Sequence, residues 1–211
     1  MAYRETANVK ARKAAQRDHL LRSAEQLVRE GGFANLTMQT LAAEAGVGVG
    51  TLYRYFDNKA VLAAEVFRVA TEREVAAVAQ AMEHTGSFSE RLSHVLQVFV
   101  QRAQAAPRLA WSLIAEPVDP AVDAERLAYR QRYAELYQQL LSDGVSQGVL
   151  PIQDTAISAA ALVGAIAEAL VGPLSDPLPK ANLAKSLSQF CLRAVGISPA
   201  QAQLIEQQQT A

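Results

Sequence analysis

Two tyrosines and a lysine, Tyr53, Tyr55 and Lys59, follow a run of small residues, Gly48, Val49, Gly50 and Thr51. Phenol hydroxyls and an ammonium are donors suited to phosphate oxygens. Small side chains let a backbone come close to a flat surface, and the methyls of Val49 or Thr51 can meet a thymine methyl. Thr37 and Gln39, just upstream, add a further hydroxyl and an amide able to assist. The spacing of the neighbouring residues says how such groups are held. Thr37 is followed by Leu41, Ala42 and Ala45 at helical spacing, which predicts a short helix with the Thr37 hydroxyl capping its free amides. Gly46 ends it, and Gly46-Val47-Gly48 suits a tight turn between two steeply crossing helices. A second short helix over residues 49–56 carries Leu52 and Phe56 on one face and leaves Val49, Gly50, Thr51, Tyr53 and Tyr55 projecting elsewhere. That is a helix-turn-helix. Its second helix, opened by Gly48, enters the DNA major groove, where Val49, Gly50 and Thr51 meet bases and Thr37, Tyr53, Tyr55 and Lys59 mostly hold phosphates.

The run LTMQTLAAEAGVGVGTLYRYFDNKAVL closely resembles the DNA-binding signature of the TetR-type bacterial transcriptional repressors, especially in AGV, GTLYRYF and the lysine that follows. The resemblance implies an all-helical homodimer with an N-terminal DNA-reading domain and a C-terminal ligand-sensing domain. It implies that Lys59 touches a DNA phosphate and that the last two helices of each subunit build a four-helix dimer interface. Many members have serine where this chain has Gly48, so the side-chain cap of the recognition helix is missing here. Glycine is an acceptable cap that costs only a few tenths of a kcal/mol against serine.

Composition agrees. Half of the 211 residues are hydrophobic, enough for an ample core, and β-branched residues in strict alternation are absent, so the expected class is all-α. A single cysteine, Cys191, excludes an intramolecular disulfide framework and fits a reducing compartment. The first residues, MAYRETANVKARK, lack an apolar signal core, and no uninterrupted apolar stretch reaches about 18 residues, so the expectation is a cytoplasmic protein with no membrane partner. The net charge is only −1, yet its distribution is uneven. Residues 1–17 hold Arg4, Lys10, Arg12, Lys13 and Arg17 against Glu5 alone. Such an arm either lies on phosphates or the minor groove, or is a solvated tail.

In chain order, the apolar spacing predicts helices over residues 14–30, with Leu20, Leu21, Ala24, Leu27 and Val28 inward, and over 59–82, capped at Asp57-Asn58. Phe33 and Leu36 plug the small N-terminal core, where Leu27, Leu41, Leu52 and Phe56 are structural. Lys59, in a first turn, opposes the helix dipole unless a phosphate sits beside it. Further helices are expected over 89–104, stopped by Pro107, then from Pro120 to about residue 144, over 154–171 and over 182–195, where Leu183, Leu187, Phe190 and Ala194 share a face. The organisation expected is residues 1–60 as DNA-binding domain with its basic arm, 61–198 as effector-binding and dimerisation domain, and 199–211 as a tail.

Candidate ligand groups fall in the second domain. Tyr129, Tyr133 and Tyr137 line up at i, i+4 and i+8 and, with Phe99 and Trp111, form either a cavity wall or a packing ridge. Arg126, Arg130 and Arg132 read as solvated or paired with Glu125 and Glu135, and as anchors if the effector is an anion. Glu168, the one acid in the apolar helix over 154–171, binds an effector group, bonds across a dimer, or faces solvent. His84, His94 and Cys191 are too isolated to suggest a metal, and no cofactor is expected. There is no P-loop, dinucleotide fingerprint, nucleophile elbow or HExxH, and no alternation of strand and helix, so a non-enzymatic reading follows. The function expected is a sequence-specific DNA-binding regulator, a repressor released from a palindromic operator by an organic small molecule. The alternatives are an architectural DNA-binding dimer of low specificity, and a small-molecule sensor that has lost DNA binding.

Overall fold

In a computed structural model of the chain, residues 7–175 and 182–198 are described. Among them the structure is helical throughout, with nine α-helices and one 3-10 turn: α1 (Ala7–Gly31), the 3-10 turn (Phe33–Asn35), α2 (Met38–Glu44), α3 (Val49–Leu52), α4 (Lys59–Met82), α5 (Phe88–Ala105), α6 (Pro107–Ile114), α7 (Pro120–Ser146), α8 (Thr155–Ser175) and α9 (Leu183–Ala194).

Local chemistry accounts for most boundaries. Thr37 caps α2 by accepting from the Thr40 amide at 3.0 Å, and the Thr40 hydroxyl in turn accepts from the Thr37 amide at 2.9 Å, closing a capping box. Asn58 caps α4 through the Val61 amide at 3.0 Å. Ser87 and Glu90 close a second box at the start of α5, and the backbone amide of Ser87 holds the exposed Glu90 carboxyl below its ordinary range. Pro107 both ends α5 and opens α6 at its first position, and Pro120 opens α7 after the Asp119 cap.

Three expectations change. The first helix begins at Ala7, seven residues earlier than the apolar stripe indicates, so Lys10, Arg12 and Lys13 lie on its exposed first turns rather than in a loose arm. Polar residues give no hydrophobic period to read there, although they are good helix formers. The recognition helix is shorter, ending at Leu52. Tyr53 to Phe56 continue as a tightened turn, with the Arg54 and Tyr55 amides donating to the Thr51 and Leu52 carbonyls. On α9 the buried face is Leu187, Ser188, Cys191 and Leu192, while Phe190 is half exposed and Ala194 exposed, because α5 packs one step round the helix from the face expected. The segment 176–181 and the tail 199–211 lie outside the described residues.

Two apolar clusters run through the molecule. One holds Leu20, Leu36, Leu41, Leu52 and Phe56, and it extends through Leu62 and Phe67 of α4 to Leu109 of α6 and Tyr129 of α7. The other centres on Leu92, Leu96, Leu141, Leu162, Leu170 and Cys191. Helix α4 serves both, with its first turns in one and Val78, Ala81 and Met82 in the other.

Thr37→Ala breaks the α2 box and is expected to lower unfolding free energy by about 1 kcal/mol. Gly48 has an extended backbone, φ −72° and ψ 144°, and open space where a Cβ would stand, so Gly48→Ser is expected to gain a few tenths of a kcal/mol. Urea denaturation of the two variants checks both signs.

Candidate DNA-reading surface and effector cavity

The helix-turn-helix presents its polar groups unevenly. Gln39, Gly48, Gly50 and Lys59 are exposed and Tyr53 is 52% exposed, so these stand free for a partner. Thr51 is half buried. Val49 and Tyr55 are half buried against the N-terminal core, so part of each side chain supports the fold. Thr37 spends its hydroxyl oxygen on the α2 cap. Nothing stands within 4 Å of a Cβ built at Gly46, Gly48 or Gly50, so the turn and the start of α3 form an open, shallow surface.

Arg17 of the basic N-terminal segment is already engaged. Its guanidinium pairs with the buried Glu65 of α4 and lies 5.5 Å from the centroid of the Phe56 ring. It clamps α1 to α4 beside the recognition helix, and so it positions the DNA-reading surface from behind. Arg73 and Glu25 form a second α4–α1 ion pair.

A further link joins the two halves of the chain. Glu116, in the connection between α6 and α7, is 4% exposed, and its carboxylate accepts the amides of Phe33 at 2.9 Å and Ala34 at 3.1 Å. These amides lie at the start of the 3-10 turn and have no helical acceptor of their own. Gly32 makes room: at φ +77° it adopts a left-handed conformation, and a Cβ there would stand 2.6 Å from both Glu116 Oε2 and Arg108 Nη2. Arg108 donates to the Gly31 carbonyl at 3.0 Å and lies over the Trp111 ring at 4.7 Å. Arg126 of α7 holds the other side of the connection. It donates to the carbonyls of Glu116 at 2.8 Å, Leu113 at 3.0 Å and Ser112 at 3.3 Å, and to Asp123 at 2.6 Å. Burial is the main influence on this guanidinium and pulls its pKa down, with Asp123 opposing. The sequence leaves Arg126 solvated, paired with Glu125 and Glu135, or an anchor for an anion. The structure pairs it with Asp123 and the end of α6.

Behind this connection lies a cavity of about 100 Å³ between α4, α5, α6, α7 and α8. Phe99, Tyr129, Tyr133 and Tyr137 are all on its wall, so the tyrosine line is brought together as a lining. Phe99 meets Tyr133 edge-on, with centroids 5.9 Å apart. Trp111 is not on this wall but under Arg108 at the α1 side. Glu168 is exposed on α8 and borders a second depression, of about 360 Å³, with Arg126 and Arg130, next to the cavity. Sequence reasoning missed Phe67, Thr71, Glu74 and Arg102, which supply the α4 and α5 walls. Their only sequence signal was a position on a helix face, and which face meets α7 is set by packing.

Desolvation keeps the cavity tyrosines neutral. Tyr129, whose hydroxyl donates to the Arg68 carbonyl at 3.2 Å, is pushed up to about 12 by burial first and the nearby Glu72 second, and burial raises Tyr133 and Tyr137 further still. A ring chain from Phe33 to Phe67 at 6.2 Å and on to Tyr129 at 6.1 Å runs from the 3-10 turn to the cavity wall.

Cys191 is buried and burial pushes its thiol up to about 12, which makes it a poor nucleophile. His84 and His94, far from isolated, stack with centroids 4.5 Å apart. Among the described residues no group of three His, Cys, Asp or Glu side chains is placed to hold a metal.

A helix-turn-helix carried on a helical domain with an internal cavity defines a DNA-binding regulator of the ligand-responsive kind. Residues 20–66 match the model of the bacterial regulatory proteins of the tetR family, and residues 85–170 that of the tetracyclin repressor-like C-terminal domain. The chain belongs to the TetR family and is a DNA-binding, ligand-responsive transcriptional regulator. It is 28% identical to the HTH-type transcriptional repressor NemR of Escherichia coli (strain K12) over 182 residues, 78% of this chain and 89% of NemR. Its fold matches that of the regulator FadR from Bacillus subtilis in complex with stearoyl-CoA, with a TM-score of 0.72 and 19% identity over 86% of this chain and 98% of that one. It also matches RolR in complex with resorcinol, with a TM-score of 0.70 and 21% identity over 93% and 95% of the two chains.

Glu116→Ala leaves the buried Phe33 amide and the part-buried Ala34 amide without their acceptor and is expected to destabilise the fold by about 1–3 kcal/mol, read as a shift in the denaturation midpoint. Cys191 is expected to resist alkylation by iodoacetamide at pH 8 in the folded chain and to react readily in urea, as mass spectrometry would show.

Proposed function

We propose that the protein is a homodimeric repressor that holds a pseudo-palindromic operator and is released by a small organic effector bound in the cavity. Gly48, Gly50 and Thr51, with Val49, meet base edges. Tyr53, Tyr55 and Lys59 hold phosphates, with Gln39 and the Thr37 segment beside them. Each recognition helix enters one of two major grooves about 34 Å apart. Domain roles follow the sequence division: residues 1–60 read DNA and 61–198 bind effector and partner. Action on DNA puts the working protein in the cytoplasm.

A second copy is supported by the outer face of α8, where Ile157 is 68% exposed and Ala161, Gly164 and Glu168 are also exposed, and by Phe190 of α9 at 49%. Helix α8 is long and apolar enough by length and composition to cross a membrane, with 22% of that stretch buried. In this reading its apolar face is covered by the partner's equivalent helices, whose close approach the small residues permit.

The observation that carries the coupling is the Glu116 bridge. The α6–α7 connection, whose helices wall the cavity, is fastened directly to the first amides of the 3-10 turn ahead of α2. An effector that shifts α6 or α7 therefore drags the DNA-reading domain and spoils its separation from the partner's. A coupling of about 1–3 kcal/mol would lower operator affinity roughly 5- to 150-fold.

Selection of random duplex DNA by the purified protein at about 150 mM salt, where nonspecific phosphate binding is weakened, is expected to recover a palindrome. Tyr53→Ala is expected to bind it far more weakly. Retention of DNA without a preferred sequence would instead mark an architectural binder, and no retention a sensor without DNA.

A further inference from the structure

The cavity walls are largely apolar, yet one buried hydroxyl stands on them unused. Thr71 Oγ1 is buried without a hydrogen-bond partner, although its residue is only 5% exposed and lies on the wall. Tyr129 spends its hydroxyl on the Arg68 carbonyl, and Tyr133 and Tyr137 line the same wall. Unsatisfied hydroxyls are uncommon inside a protein, because each has given up hydrogen bonds to water. The place of Thr71 on the α4 wall, with Tyr133 and Tyr137 of α7 lining the same cavity, marks a spot where a ligand can supply the missing partner.

Charge and size narrow the ligand. Arg102 and Glu74 on the wall neutralise one another through two bonds of 2.6 and 2.8 Å. Arg126 is committed to three carbonyls and Asp123. Two of the three arginines that line the cavity are therefore committed, and burying an unpaired anion against its apolar wall would be costly. The third, Arg130, lines both the cavity and the outer depression and is exposed, so its charge stays in water. The volume, about 100 Å³, is of the order of the ~150 Å³ cavity that takes up a benzene molecule. A long acyl chain exceeds this volume and would have to extend into the adjoining depression of about 360 Å³.

We propose that the cavity binds a small neutral molecule, a single ring or its equal in bulk, carrying one hydroxyl or carbonyl oxygen that bonds to Thr71 and to the Tyr133 or Tyr137 hydroxyl. The proposal rests on the cavity being the effector site. It adds the chemical class, which the family does not fix.

Isothermal titration of the full chain with phenol, toluene, benzoate and decanoate tests it. Phenol and toluene match in size and differ in the hydroxyl, benzoate adds a charge, and decanoate adds length. Phenol is expected to bind. Thr71→Val and Tyr137→Phe are each expected to weaken phenol about 2- to 10-fold while leaving toluene unchanged, with thermal melts confirming the fold. Loss of phenol and toluene in equal proportion would overturn the hydrogen-bonding role. Tighter binding of benzoate or decanoate, abolished in Arg130→Ala, would overturn the neutral class and leave the effector-site reading standing. Binding of none of the four would overturn the proposal together with the effector-site reading.

Discussion

The carboxylate of Glu116 seated on the amides of Phe33 and Ala34 is the constraint on which the arrangement of the two domains depends. A buried carboxylate is tolerated only where donors replace its water, and the open end of a 3-10 turn offers two donors with no other acceptor. The fit leaves no space for a side chain at position 32, so the glycine, the acid and the turn form one unit. Arg126 fixes the same connection from the opposite side, through the carbonyls at the end of α6. The short α6–α7 link is thus gripped by the DNA-reading domain on one face and by the cavity wall on the other.

Helix α4 provides a second path between the same two places. Its N-terminal turns lie in the core beneath the recognition helix, clamped by Arg17 to α1, and its later turns supply Phe67, Thr71 and Glu74 to the cavity. Phe67 touches Phe33 on one side and Tyr129 on the other. Close-packed rings of this kind do not deform smoothly, and these three join the cavity wall to the 3-10 turn. A regulator built this way needs no long-range wire, because the cavity and the first turn of the DNA-reading unit are neighbours.

The residues that make this possible differ in how openly they show themselves. The helix-turn-helix is visible in the chain because its caps, its turn glycines and its apolar positions fall within a few residues of one another. The bounds of α4, Lys59 to Met82, follow from Asn58 and from the apolar spacing alone. The tyrosine line on α7 is equally visible as a line, but sequence leaves it open whether it faces a ridge or a cavity. Arg17 reads as a free cation of a basic arm and is in fact the partner of Glu65, 48 residues away. Glu116 looks like one acid among many in a loop, and the amides it holds lie 82 and 83 residues earlier.

What the sequence determined by itself is therefore the local layer: the class of fold, the helices, their caps and the DNA-reading motif. Periodicity and capping act over three or four residues, so the chain carries them wherever it is placed. What only the tertiary structure decided is which faces meet. The α9 face turned inward, the partner of Arg126, the Thr71 hydroxyl left unpaired in the cavity and the seat of Glu116 all depend on the angles at which helices cross. Those angles are fixed by the joint packing of many side chains, which no short window of sequence contains.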